Sequence, residues 1–185
     1  MRIIAGEYRG RRLATIGKGD AGAHLRPTTD RVRESLFNAL EGGKFGDPID
    51  NTRVLDLFAG TGALGLEALS RGAAHVTFVD DGRIAGKLIR DNINTLNCKA
   101  QSKLISRDAT RLPDAPAPCE LVFLDPPYGQ TLGDKALASA AASGWIATGA
   151  LIVWEENAAQ APPTGYELLD QRRYGDTWIT FLSAE

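Results

Sequence analysis

Two short stretches hold the residues best suited to chemistry, DLFAGTGALG at 56–65 and DPPY at 125–128. DPPY follows the apolar run LVFL, so a segment suited to a buried strand ends in an acid, two prolines and an aromatic ring. An amine attached to a purine or pyrimidine is a poor nucleophile, because its lone pair is delocalised into the ring. Group transfer to it requires the nitrogen held with its lone pair aimed at the incoming carbon and its hydrogens drawn aside. Asp125 offers a carboxylate acceptor, and Pro126, lacking an N–H, offers only a carbonyl. The run Pro126-Pro127 restricts the backbone so that both acceptors stand ready. Tyr128 supplies a flat face for a base, with stacking worth ~1–3 kcal/mol in nucleic-acid complexes. The four residues predict methyl transfer to an amine by direct in-line displacement, with alignment as the protein's main contribution. The competing reading is a proline-terminated strand with a surface tyrosine.

The first stretch sets Gly60, Gly62 and Gly65 in a G-x-G-x-x-G spacing, with Phe58 and Thr61 among its lining residues. Glycines there permit a tight turn and close backbone approach to a ligand, a signal shared by nicotinamide, flavin and S-adenosylmethionine (SAM) sites. Asp80 ends the next apolar run and is placed to accept from ribose hydroxyls, with Asp81 as the neighbouring candidate. Asp108-Ala109 follows a third run, where an acid suits an adenine amine. Asp56 separates the cofactors: its charge would not help a pyrophosphate, whereas a sulfonium carrying an α-amino group favours a nearby carboxylate. SAM is the expected cofactor.

These residues need a scaffold that brings strand ends together. Apolar runs at 53–58, 74–80, 102–106, 119–125 and 150–156 read as strands, alternating with helical patterns at 63–71, about 83–97 and 132–143. Ile84, Leu88, Ile93 and Leu96 fall on one side of the second helix, and Thr131 with Asp134 resembles a capping box for the third. The segments 166–174 and 177–183, joined at Gly175-Asp176, read as a hairpin. Alternation of this kind predicts a mostly parallel seven-stranded sheet covered on both faces, with an antiparallel C-terminal strand. Ligands in such folds bind beyond the carboxyl ends of the strands, where both stretches lie. Residues 1–43 read as an N-terminal extension of short strands, a glycine-rich loop and a helix stopped at Gly42-Gly43, and residues 44–185 as the main domain.

At 185 residues, 43% hydrophobic and 24% charged, the chain has the composition of one folded domain and not of a disordered segment. No apolar run approaches the ~20 residues of a membrane span, and the N-terminus lacks a secretory pattern. Cys98 and Cys119 are too few for a disulfide scaffold and lack zinc-site spacing, so a reduced cytoplasmic setting is expected. Pro118-Cys119 resembles the nucleophilic pair of cytosine-C5 methyltransferases. However, six strand residues at ~3.3 Å each place that thiol about 20 Å from Asp125. His24 and His75 have no partners at ligand spacing, and no metal is expected. Net charge is −2, yet residues 1–33 hold eight cations against three acids, leaving the rest of the chain at −7. That basic arm, with Arg9, Arg11, Arg12, Arg26, Arg31 and Arg33, suits a localised contact with RNA phosphates.

With MRIIAGEYRGRRL, RPTTDRVRESLFNAL, LDLFAGTGALGLEALSRGA, LVFLDPPY and RRYGDTWITFL, the chain resembles the RsmD family along nearly its whole length. The resemblance implies a Rossmann-like class I SAM-dependent methyltransferase that modifies N2 of guanine 966 in 16S rRNA, acting as a monomer on an assembled or partly assembled small subunit. It further implies that Asp56, Gly60 and Gly62 line the SAM pocket, with Asp80 or Asp81 at the ribose and Asp108 near adenine. Asp125 to Tyr128 would hold the guanine amine, and Arg26 to Arg33 would lie over the methionine end. Where the family shows Glu, one residue, then Asp after the second strand, this chain has VDDGR. The same acceptor motif also fits adenine-N6 or protein glutamine-N5 transfer, and a catalytically silent RNA-binding assembly factor is the reading from another class.

Overall fold

The computed structural model describes residues 1–16 and 29–185. Four apolar runs form parallel strands: β1 (Arg53–Leu57), β2 (His75–Val79), β3 (Ser102–Ile105) and β4 (Cys119–Leu124). β5 (Ile146–Glu156) continues the parallel set, and β6 (Tyr166–Tyr174) with β7 (Thr177–Ala184) forms the expected hairpin. The sheet has seven strands in the order β3-β2-β1-β4-β5-β7-β6, with β7 antiparallel to both neighbours. β1 pairs with β2 on one side and β4 on the other, which puts the ends of β1 and β4 next to each other at Leu57 and Leu124.

The helices are α1 (Asp30–Glu41), α2 (Ala63–Ser70), α3 (Arg83–Leu96) and α4 (Leu132–Ala142). Leu36, Phe37 and Leu40 of α1, all of α2 and the inward seam of α3 pack on one sheet face with Val54, Phe78 and Phe123. Ala136, Leu137 and Ala140 of α4 pack on the opposite face with Leu55, Val122 and Trp154. Because both faces are covered, the central strands read as almost continuous apolar runs. Asp56 interrupts β1 and is buried within it.

Several local expectations are corrected. β5 begins at Ile146 and not at 150: its polar start, Thr148 and Gly149, is exposed, and the pairing with β4 shifts register between Cys119 and Leu121. Thr131 makes no side-chain cap bond to α4, because its backbone is left-handed at φ 52°. Helix α4 instead starts against Trp154, where a Cβ on Gly133 would stand 2.2 Å from the indole Cζ2. At α1 the cap is real, with Thr29 Oγ1 accepting from Val32 N at 3.3 Å.

The two N-terminal strands are replaced by a single bridge, Arg2 to Arg12. The backbone there finds its partners in helical side chains. Ile4 N and Ala5 N donate to the Glu67 carboxylate at 2.9 and 3.0 Å, and Tyr8 N donates to Ser70 Oγ at 2.9 Å. Asn92 of α3 exchanges two bonds with Ala14 and donates a third to the Thr61 carbonyl. Ile3 and Leu13 are buried in the main core, so the extension is a strap bolted onto α2 and α3.

Candidate active site

The turn after β1 is held by carboxylates. Phe58, Gly60 and Gly62 all have positive φ (59°, 58° and 77°), which lets the chain reverse between β1 and α2. Asp80 bridges this turn to the end of β2: its Oδ2 accepts from Gly60 N at 2.9 Å and its Oδ1 from Gly82 N at 2.8 Å. Burial raises the Asp80 carboxyl, and these two amides oppose the rise. Each oxygen keeps lone-pair capacity for a further donor. Asp81 is exposed beside it. Asp108 is also exposed, with Oδ1 accepting from both Thr110 N and Thr110 Oγ1 at 2.8 Å; those bonds lower its pKa. Ala109 and Thr61 are buried and turn inward, Thr61 Oγ1 facing the Met1 sulfur at 3.5 Å.

Asp56 takes a part that its sequence position did not announce. Its Oδ2 accepts from Gly65 N at 3.0 Å, three residues into α2 from the N-cap Gly62, which has no side chain to do so. A strand residue therefore caps the helix from the side. Burial pushes the Asp56 carboxyl up to about 8, the Gly65 amide opposing and Asp80 adding to the rise. Gly65 is required by the closeness of this packing: a Cβ would stand 2.5 Å from Phe78 Cε1 and 3.0 Å from Asp56 Oδ2.

One strand over, Asp125 N donates to the Leu57 carbonyl at 3.4 Å, setting DPPY beside the glycine turn. Pro126 is buried, Pro127 exposed and Tyr128 half-buried. The Tyr128 hydroxyl donates to Glu155 Oε1 at 3.2 Å and lies 3.5 Å from Thr177 Oγ1. Burial pushes that phenol up to about 12. Gly129 N donates to Glu156 Oε1 at 3.3 Å, so the loop after DPPY is moored to the end of β5. Glu155 and Glu156 were missed in the sequence reading. Their signal was the same as that of Asp125: acids closing an apolar strand at the carboxyl edge.

Burial raises the Asp125 carboxyl well above the usual carboxylate range, and the charges acting on it, Glu155, Asp56 and Glu156, are all carboxylates. A region that crowds negative charge suits a cofactor carrying sulfonium and ammonium groups and repels a pyrophosphate. The residues present therefore fit SAM.

Among the expected RNA contacts, Arg9, Arg11, Arg12 and Arg31 are exposed, and Arg26 lies outside the described residues, as does His24. Arg33 is a correction. It is 0% exposed, 3.7 Å from Glu67 and 3.1 Å from Asp30, and it also donates to the Arg2 carbonyl. A buried guanidinium pinning the strap to α2 does not face RNA. Arg11 is itself partly engaged, donating to the Thr95 carbonyl at the end of α3. Cys119 is buried at the foot of β4, and burial raises its thiol to about 12, consistent with a packing role. Among the described residues no cluster of metal-ligating side chains occurs.

The sheet order, with a glycine turn after β1 and its helices on both faces, defines the SAM-dependent methyltransferase fold. The chain belongs to the RsmD family, whose model, described as conserved hypothetical protein 95, matches residues 1–183. The ribosomal RNA small subunit methyltransferase D of Haemophilus influenzae is 35% identical over 181 residues, spanning 95% of this chain and 89% of that one. The solved structure of YhhF from Escherichia coli is 34% identical with a TM-score of 0.82, covering 100% of this chain and 98% of that one. A more distant fold neighbour is the Thermus thermophilus 16S rRNA N2 G1207 methyltransferase RsmC in complex with AdoMet and guanosine. It is 18% identical with a TM-score of 0.65, over 89% of this chain and 46% of that one.

Proposed function

We propose that the protein methylates the exocyclic N2 amine of a guanine in small-subunit (16S) rRNA, using SAM, as a cytoplasmic monomer acting on the subunit or an assembly intermediate. The observation that carries this reading is the seating of Asp125-Pro126 at the end of β4, one strand from the glycine turn of β1. The name of the Haemophilus influenzae relative supports rRNA as the substrate. Guanosine bound with AdoMet in the RsmC neighbour supports the choice of base on this fold.

The cofactor, when bound, supplies an electrophilic methyl group on a sulfonium sulfur. Gly60, Thr61 and Gly62 with Phe58 would cradle it, Asp80 would accept from its ribose hydroxyls with Asp81 alongside, and Asp108-Ala109 would border its adenine. Asp56 keeps α2 and its turn in place beneath the methionine end. Asp125 Oδ and the Pro126 carbonyl accept the two N2 hydrogens, which turns the nitrogen lone pair toward the cofactor side. Once nitrogen has gained its bond to the methyl carbon, as carbon and sulfur part, it must lose a proton, and the Asp125 carboxylate already accepting from that nitrogen is the group placed to receive it. Pro127 fixes the turn, and the Tyr128 ring stacks on the base while Glu155 and Thr177 hold its hydroxyl. Residues 1–43 form an RNA-contacting extension of the catalytic domain at 44–185, with Arg9, Arg11, Arg12 and Arg31 facing phosphate.

Mass spectrometry of rRNA from a strain lacking the gene tests the assignment. One missing methyl on a small-subunit guanine, restored by the purified protein with SAM, is the expected result; intact guanine methylation would overturn it.

A further inference from the structure

Helix α3 carries three cations and one acid, and the fold puts the cations in a single row. Arg83, Lys87 and Arg90 are exposed, as is Asn94, and their spacing of four, three and four residues confines them to a sector of about 60°. That sector lies opposite the buried seam of Ala85, Ile89, Asn92 and Leu96. Asp91, also exposed, follows Lys87 by four residues and lies about 40° from it, at the edge of the row. The row spans about 16 Å along the helix axis, from Arg83 to Asn94. Arg90 folds back along Gly86, whose added Cβ would stand 3.6 Å from its Nη1, and its Nη2 donates to Ser106 Oγ at 3.5 Å.

Two further facts give the row a direction. Its upper end starts beside the cofactor turn, since Gly82, the residue before Arg83, donates to Asp80. Its lower end approaches the N-terminal strap, where Arg11 donates to the Thr95 carbonyl in the last turn of α3. One strap cation thus reaches the end of the helix that carries the row. The ion pairs among the described residues use Arg33, Lys44, Arg71 and Arg172, none of which belongs to it. Three of the seven cations in residues 81–111 stand in this row, in a chain of net charge −2 whose body outside that segment is strongly acidic. A polyanion meets that body favourably along this face.

We propose that the exposed row of α3, Arg83, Lys87 and Arg90, docks the phosphodiester backbone of the RNA flanking the target base, continuous with Arg9, Arg11 and Arg12 of the strap. The proposal rests on the RNA reading of the preceding section and extends its contact surface to a helix outside the basic arm. Phosphate contacts of this kind set register and orientation on the RNA without reading bases. The row starts at the rim of the site and leads away from it, so it would grip RNA beyond the base held by Asp125.

The test compares the parent protein with Arg83→Gln/Lys87→Gln/Arg90→Gln in binding a small-subunit rRNA transcript between 50 and 200 mM salt. Each lost phosphate contact removes about 0.7–0.9 from the slope of log affinity against log salt, from single strand to duplex. Over this fourfold salt range the parent should lose about 20- to 40-fold more affinity than the variant. SAM affinity should be equal in both, showing that the fold and cofactor site are intact. A control, Lys99→Gln/Lys135→Gln, takes exposed cations from the foot of the sheet and from α4 and should keep the parent slope. An unchanged slope in the α3 variant, or an equal loss in the control, overturns the docking surface alone. Failure of the parent to bind the transcript would overturn the RNA reading and this surface with it.

Discussion

Replacing Asp56 by asparagine tests whether a buried carboxyl braces the cofactor turn. In the folded protein Asp56 is 1% exposed, accepts from Gly65 N at 3.0 Å, and has its pKa pushed by burial from 3.8 to about 8. In the unfolded chain the carboxyl titrates near its ordinary value. Between those two values the folded state holds a proton that the unfolded state has released, so stability falls as pH rises. The group makes no difference below about pH 4, and its full penalty is reached above about pH 8. At 1.36 kcal/mol per pH unit, the penalty grows by about 3 kcal/mol between pH 5 and pH 7.5. Asparagine keeps an oxygen for Gly65 N and cannot ionise. Asp80 and Asp125, whose burial raises them in the same sense, titrate in both proteins, and loss of the Asp56 charge relieves their rise, which adds to the variant's gain as pH rises. Urea unfolding at the two pH values should therefore show the variant gaining about 3 kcal/mol on the parent on going from pH 5 to 7.5. Parallel stability curves for the two proteins would refute the placement of an uncharged Asp56 beneath the turn.

Asp125→Ala should lower methyl transfer by about 100-fold or more through lost alignment, with SAM affinity retained in isothermal titration; normal turnover would remove Asp125 from its acceptor role. Glu67→Leu strips the partner of buried Arg33 and Arg71 and the acceptor of Ile4 N and Ala5 N. It should cost about 3–5 kcal/mol in urea unfolding and expose the strap to protease, and a stable, protease-resistant variant would contradict this bracing. Gly133→Ala places a methyl 2.2 Å from Trp154 Cζ2 and should destabilise by about 1–3 kcal/mol, seen as a lowered melting temperature; an unchanged one would show that α4 can shift at no cost.

Much of the architecture could be read directly from the residues. The runs at 53–58, 74–80 and 119–125 announce buried parallel strands, and Gly175-Asp176 announces the hairpin, because periodicity and turn chemistry act over a few neighbouring residues. The ends of those strands pointed to DLFAGTG and DPPY as the site, and the family resemblance extended the reading to nearly every residue of the chain. Local rules failed where a polar group could choose among distant partners. Thr131 looked like a cap but adopts a left-handed backbone, while Asp56, nine residues before Gly65, performs the capping of α2. Arg33 looked like an RNA contact and is buried against Glu67. Glu155, far along the chain from Tyr128, holds its hydroxyl at the mouth of the site.

What the sequence determined by itself was the order of elements and the kinds of residue standing at the strand ends. Tertiary structure alone decided which acids face a ligand and which face backbone amides, and which arginines remain on the surface. It also brought α3 beside the strap. A carboxylate or guanidinium is satisfied by whichever complementary group lies within about 3 Å, and only the folded chain determines which groups come that close.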